Sequence, residues 1–265
     1  MDAFETIYEQ NYKKLYNLAY RMTGNLHDAE DVLQSAFLNA YKGFHNFRED
    51  SSVETWLYQI VLNESKQYYK KINKMPMDKF AEENKISLED AYGYINKYGT
   101  VEDEIMYTAT KEACLQMFMN CLSSKLRAVF TLRVVLDFTT DEVAEMLNIK
   151  PSTVKVYLHR ARTFITANVK GKCSLINPSN PCKCSGWIKY ALETGLKLDN
   201  ADIRVIQKKE ALIKAAFKEE ISDLYKVMLL YNTEVIPKPY DSFKSHVMQL
   251  IADKSFKLLD YNDAL

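Results

Sequence analysis

Glycine and proline are scarce in this chain, 7 and 6 in 265 residues, too few to turn a many-stranded sheet, so the expected fold is all-α. Histidine is scarcer still, with four in all. There is also no Gly-rich phosphate loop, no His-Glu-x-x-His and no Ser or Cys nucleophile set beside a base, so the chain is not expected to be an enzyme. No apolar run approaches the roughly eighteen residues that would span a membrane. The opening MDAFETIYEQNYKK lacks the basic-then-apolar order of a secretory signal, so a cytoplasmic protein with no membrane partner is expected. Five cysteines in such a setting do not suggest a disulfide framework.

Net charge is absent too, 35 basic against 35 acidic residues, but the zero conceals a division along the chain. Lys74 to Glu112 carries five Lys against nine acids, 5 − 9 = −4, and Ala113 to Lys172 carries nine Lys or Arg against four acids, 9 − 4 = +5. A basic segment beside an acidic one suits a polyanion-binding module next to a linker, or a merely solvated face.

What is present is helical periodicity. Phe4, Ile7, Tyr8, Tyr12, Leu15, Leu18, Ala19 and Met22 recur at three- and four-residue steps, one buried helical face. Thr23-Gly24-Asn25 breaks it. A second helix carries Ala29, Val32, Leu33, Ala36, Phe37 and Ala40, with Asp28, Glu30, Asp31 and Gln34 near its start, where acids oppose the helix dipole favourably. A third, from Ser52, carries Val53, Trp56, Leu57, Ile60, Val61 and Asn63 and runs into Lys66-Gln67-Tyr68-Tyr69-Lys70-Lys71. Residues 74–104 read as an acidic linker with one short helix. Helical spacing resumes with Ile105, Met106, Ala109, Ala113, Met117 and Cys121, where Cys114 and Cys121 read as core positions.

In the basic segment, Leu126 to Val134 form a helix, and Thr139 with Glu142 offers a capping box for a short one carrying Val143, Ala144, Met146 and Leu147. Asn148-Ile149-Lys150 is a tight connection, and Pro151 or Ser152 starts the next helix. This is a helix-turn-helix. Ala144, Ile149, Val154, Leu158 and Ala161 pack inside it, leaving Ser152, Thr153, Lys155, Val156, Tyr157 and His159 outward, where base edges in a major groove would be met. Arg160 and Arg162 lie further on and reach towards phosphates. A plain helical hairpin with a basic surface is the alternative.

Two separated stretches then agree with one family. HDAEDVLQSAFLNAYKGFHNFRED followed by SSVETWLYQIVLNESKQYYKK resembles region two of the extracytoplasmic-function (ECF) RNA polymerase sigma factors of the sigma-70 family. CLSSKLRAVFTLRVVLDFTTDEVAEMLNIKPSTVKVYLHRARTFI resembles their region four. The resemblance implies four segments: region two at 1–73, a linker at 74–104, region four at 105–170, and a C-terminal helical extension at 171–265. It also implies partners: core RNA polymerase, through its beta-prime and beta subunits, promoter DNA, and an anti-sigma factor. Asp28, Glu30, Asp31 and Gln34 would dock on a beta-prime coiled coil. Trp56, Asn63, Lys66, Tyr69, Lys70 and Lys71 fall in the segment that melts and captures the minus-ten element, by stacking unpaired bases and following the backbone with cations, although Trp56 lies on the apolar stripe and reads as core. Ser152, Thr153, Lys155, Val156, Tyr157, His159, Arg160 and Arg162 would face the minus-thirty-five element. Val156 replaces the family's usual small polar residue, and Tyr157 stands where a basic one is common. The rival function is a helix-turn-helix activator, or a metal- or redox-responsive DNA-binding regulator.

Beyond the resemblance, KCSLINPSNPCKCSGW brings Cys173, Cys182 and Cys184 within twelve positions. They are candidate ligands for Zn or Cu(I), with a fourth to come from Cys114, Cys121, His159 or a second chain; a turn-forming structural loop is the other reading. Trp187 to Leu192, Ile203 to Leu229 and Phe243 to Ile251 carry helical spacing. With 13 basic against 12 acidic residues over 173–265, this part is expected to meet protein and to restrain the preceding regions.

Overall fold

The computed structural model describes residues 3–47, 51–71, 73–97, 104–194, 204–206 and 234–236, together with Tyr231, Ser245 and Gln249. Helices dominate these residues, as expected. The first three, α1 (Ala3–Thr23), α2 (Leu26–Gly43) and α3 (Val53–Glu64), pack on one another. Gly24 makes the α1–α2 reversal at φ +77, in the left-handed region where a side chain is strained, and a Cβ there would strike the Asn120 amide. Asn25 caps α2 by accepting from Asp28 N at 3.1 Å, and Ser52 caps α3 by accepting from Thr55 N at 3.0 Å. The predicted stripe of α2 is buried, as are Tyr12, Leu15, Leu18, Ala19 and Met22 of the α1 stripe, with Ile7 half-buried; Tyr16, Tyr20 and Arg21 join them inside.

The acidic segment holds more structure than expected. It forms two helices, α4 (Pro76–Glu83) and α5 (Leu88–Asn96), where one was predicted. Met77, Phe80, Ala81, Ala91, Tyr92 and Ile95 form a small core of their own, covered by Trp187 and Tyr190. These apolar positions are too few to cover one another alone, and the residues that complete the core lie about a hundred positions downstream in α10 (Cys184–Thr194). Gly186 lets α10 approach this closely, since a Cβ there would meet Ile95 O at 2.8 Å.

The basic segment comprises α6 (Glu104–Cys121), α7 (Ser124–Phe130), a π-helical turn at Thr131–Val135, α8 (Thr140–Leu147) and α9 (Pro151–Val169). In α6 the buried positions are Thr110, Glu112, Leu115, Gln116, Phe118, Met119 and Cys121, so Cys121 of the predicted stripe is inside whereas Ala113 and Met117 are half-buried. The helix is covered by α1 on one side and α10 on another, so no single apolar stripe marks its inner face. One hydrophobic core runs unbroken from α1, α2 and α3 into α6 through α9.

Val205 and Ile206, read as helical, stand instead in β1 (Arg204–Ile206), paired antiparallel with β2 (Glu234–Ile236). Both strands carry a β-branched pair, which suits extended backbone. Of the helices expected in 207–265, Ser245 and Gln249 are helical, and the rest lies outside the described residues.

Candidate nucleic-acid and polymerase interface

The helix-turn-helix is built as its sequence dictates. Thr139 Oγ1 accepts from Glu142 N at 3.3 Å, and Thr139 N donates to the Glu142 carboxylate at 2.6 Å, a complete capping box. These bonds hold the Glu142 carboxyl below its ordinary range. Asn148 ends α8 at φ +51, a conformation that asparagine tolerates better than most residues. Ile149 N then returns to Ala144 O at 2.9 Å, and Pro151 opens α9 where a missing N–H costs nothing.

Val154, Leu158 and Ala161 are buried, and Ser152, Lys155, Val156, His159 and Arg160 are exposed, Val156 at 47%. Thr153, Tyr157 and Arg162 are half-buried. Lys155, His159, Arg162, Thr163 and Thr166 line an open groove along the outer face of α9. The ion pairs among the described residues are Lys14–Glu54, Arg21–Glu112, Lys70–Asp28, Lys74–Glu82 and Lys79–Glu83. None uses a cation of α9. Burial, and then the neighbouring Arg133, lower the pKa of Arg162, so this end of the groove is electropositive without an acid to offset it.

The other predicted surface is arranged differently. Asp31 is exposed on α2, while Asp28, Glu30 and Gln34 are half-buried. Burial raises the Glu30 carboxyl. Lys70 reaches back to Asp28 at 3.7 Å, joining the acidic helix start to the basic-aromatic run. Asn63 and Lys66 are exposed and bonded to one another at 2.7 Å, and Lys71 is exposed. Trp56 is half-buried, with its ring 5.1 Å from Phe47 and 6.5 Å from Phe44, in keeping with its place on the apolar stripe. Tyr69 is neither exposed nor idle. Its hydroxyl donates to Leu122 O at 2.7 Å, and the Arg127 guanidinium lies 4.6 Å over its ring.

That contact belongs to a clasp between the two halves that the sequence reading missed. Arg127, on α7, is buried and donates to Met22 O at 2.6 Å, Asn120 O at 2.8 Å and Lys70 O at 3.1 Å. Burial pulls its pKa down to about 10. Beside it, Arg21 of α1, 0% exposed, pairs with Glu112 of α6 and donates to Gln116 Oε1 at 3.2 Å. Burial opposes the Arg21 charge, and Glu112 more than offsets this, leaving its pKa raised. Further out, Gln59 of α3 donates to Glu145 O of α8 at 3.3 Å, and Tyr58 meets Phe138 edge-on at 4.7 Å. The sequence offers only a weak signal: Arg21 falls beside the apolar stripe of α1, while Glu112 and Gln116, four apart, are two among several polar residues of α6.

The cysteines of the Asn-Pro loop also come together. Cys173 and Cys182 pair in a short parallel bridge, with Cys182 N donating to Lys172 O at 2.9 Å and Ser174 N donating to Cys182 O at 3.1 Å. Of the proposed fourth partners, Cys114 lines a small cavity together with Cys173 and Cys182. Cys121 lies elsewhere, near Arg127 and Lys71, and His159 faces outward on α9.

Comparison with known proteins matches the sigma-70 region 2 model at residues 7–74 and the sigma-70 region 4 model at residues 112–165. The ECF RNA polymerase sigma factor SigW of Bacillus subtilis is 32% identical over 171 residues, covering 64% of this chain and 90% of that protein. The RNA polymerase sigma-H factor of Pseudomonas aeruginosa is 28% identical over 167 residues, covering 62% and 84%. A solved structure, the sigma factor RpoE in complex with the anti-sigma factor NepR from Bartonella quintana, aligns at 20% identity and TM-score 0.42, over 64% of this chain and 98% of that one. With both sigma regions matched in order, and with the acidic helix, the basic-aromatic run and the helix-turn-helix within them, the chain belongs to the ECF RNA polymerase sigma factors of the sigma-70 family and directs promoter-specific transcription initiation.

Proposed function

We propose that α9 reads the minus-thirty-five element, with Ser152, Thr153, Lys155, Val156, Tyr157 and His159 at base edges and Arg160 and Arg162 on phosphates. The observation that carries this is the positive charge on the outer face of a second helix, opened by Pro151, none of whose cations enters an ion pair among the described residues. The run from Asn63 to Lys71, with Tyr69, Lys70 and Lys71 foremost, takes up the minus-ten strand, and Trp56 supports it from the core side. Asp28, Glu30, Asp31 and Gln34 meet basic side chains of the polymerase beta-prime subunit, and α8–α9 lies near the beta subunit. The protein acts in the cytoplasm as a non-catalytic initiation factor and is a candidate for capture by an anti-sigma factor. Among the described residues, no helix is long and apolar enough to cross a membrane.

The compact arrangement is a resting form. Tyr69 and the Lys70 carbonyl are engaged by α7 and its N-terminal flank, so the melting segment is released only when the two sigma regions separate on polymerase. The C-terminal extension supports this state: Tyr231, fully buried, donates to Leu115 O at 2.9 Å and packs edge-on against Phe130 at 5.1 Å. In vitro transcription with purified bacterial core polymerase, on a pool of genomic promoter fragments, tests both parts. Specific initiation is expected only with this chain present, and deletion of residues 173–265 is expected to raise it. Failure to initiate with either form would return the helix-turn-helix to an activator; equal initiation by both would remove the restraint.

A further inference from the structure

Val156 is the most exposed large apolar side chain among the described residues; the others, Ile86, Tyr94 and Tyr107, stand on the acidic segment and on α6. A lone exposed valine is ordinary on a protein surface. This one occupies the second turn of α9, on the face turned away from the core. Val154, two residues earlier, is buried, and Tyr157 and Phe164 pack on the same core, so the packing of α9 is complete without Val156. A β-branched residue at an exposed helical position lowers helix propensity slightly. Val156 is therefore a small local cost to α9 that no packing offsets, the kind of local inconsistency that marks a functional position.

Its neighbours sharpen the contrast. Ser152 and Thr153 lie one turn before it on the helix surface, His159 and Arg160 one turn after, and Lys155 adjoins it. Each of these can hydrogen-bond, and valine cannot. In the major groove the bases present hydrogen-bonding groups, and thymine alone adds an apolar one, its C5-methyl, beside the O4 acceptor. An isopropyl group set among donors matches that edge. Valine in a helix keeps one χ1 rotamer in roughly 90% of cases, so the group is aimed before DNA arrives. A protein surface would call for a wider apolar patch than one isopropyl group ringed by polar and cationic side chains.

We propose that Val156 is a specificity-determining residue that selects a thymine in the minus-thirty-five element, by packing its isopropyl group on the thymine C5-methyl. The inference rests on the reading of α9 as the helix that meets this element, and it adds the chemical group that is read. At this position the protein requires the methyl and not the hydrogen-bonding edge of the base pair. Ser152, Lys155, His159 and Arg160 remain free to meet acceptors on the same or adjoining base pairs.

The test uses the full chain with purified bacterial core polymerase, on a promoter from which it initiates. Each thymine of the minus-thirty-five element, on either strand, is replaced in turn by deoxyuridine, which removes the C5-methyl and leaves pairing and O4 in place. Replacement at one position is expected to lower initiation about fourfold in competition with the unmodified template, the factor that burial of one methyl group corresponds to. Val156→Ser is expected to initiate equally from the two templates, and to lose about the same factor on the thymine form. The position is exposed, so the variant should fold as the parent does, which circular dichroism checks. Three results would overturn the proposal: no effect of deoxyuridine at any position, the parent's preference kept in Val156→Ser, or an equal loss by that variant on every template, as a protein contact would give. The two readings fail differently. Upstream base-pair changes without effect on the parent would remove α9 from the minus-thirty-five element and this proposal with it, whereas base-pair dependence without methyl dependence would remove the thymine contact alone.

Discussion

The two segments proposed to meet nucleic acid are held in opposite ways. The outer face of α9 is displayed, with its cations unpaired and Val156 open to solvent, whereas the Tyr68–Lys71 run is in use, with Tyr69 under Arg127 and bonded to Leu122 and Lys70 reaching to Asp28. In the second segment Lys66, Lys70 and Lys71 are exposed, and it is the Tyr69 ring and the Lys70 carbonyl that are engaged. The difference teaches that a surface for duplex recognition can be offered by one rigid helix, whereas under the proposed function the aromatic part of the strand-capturing run is held by the other half of the molecule.

The comparison breaks most sharply at the buried pair. Arg21→Met leaves Glu112 buried without its counter-charge and is expected to cost about 3–5 kcal/mol, read by denaturant unfolding. The double variant Arg21→Met/Glu112→Leu should recover most of that loss, and equal destabilisation of single and double variants would show that the pair is not what joins the halves. Next, Arg127→Met strips three carbonyls of their donor and should cost about 2–3 kcal/mol, with a larger hydrodynamic radius and more transcription at limiting polymerase. An unchanged yield there would remove the resting form. On the displayed side, Lys155→Ala should lose about 1–3 kcal/mol of promoter discrimination at one position, while Arg162→Ala should weaken all promoters alike. Template competition checks this, and a uniform effect from both would erase the division between base and phosphate contacts.

The smallest effect concerns the scaffold of the display. Thr139→Ala removes a cap and should cost about 1 kcal/mol. Because Glu142 has a folded pKa below its unfolded one, the capping box stabilises α8 above the unfolded value, and its contribution is lost as pH falls through the folded value. The stability gap between Thr139→Ala and the parent should therefore narrow in acid. A gap independent of pH would assign the loss to the threonine alone.

The displayed half was legible because its signals are local. The capping box, the left-handed Asn148, Pro151 and the inward set Val154, Leu158 and Ala161 all act within a few residues. The clasp was not legible, because Arg21 and Glu112, or Arg127 and Met22, are paired across about a hundred positions of chain, and a lone charge in an apolar stripe does not announce its partner. The acidic segment failed for a related reason: α4 opens at Pro76 and α5 is capped by Ser87, but their small core is completed by Trp187 and Tyr190. Cys114 likewise reads as an ordinary helix residue until the loop beyond α9 folds back beside it.

The position of Arg127 has a consequence for how the protein responds to ionic strength. Its guanidinium joins the end of α1, the end of α6 and the backbone at Lys70 through bonds sealed from water, and screening by dissolved ions weakens exposed charge far more than buried charge. Rising salt should therefore strip α9 from DNA long before it loosens the clasp. Two carbonyls of the first half, at Met22 and Lys70, share that one cation, so separation of the halves should break both bonds together, as a single event with a threshold.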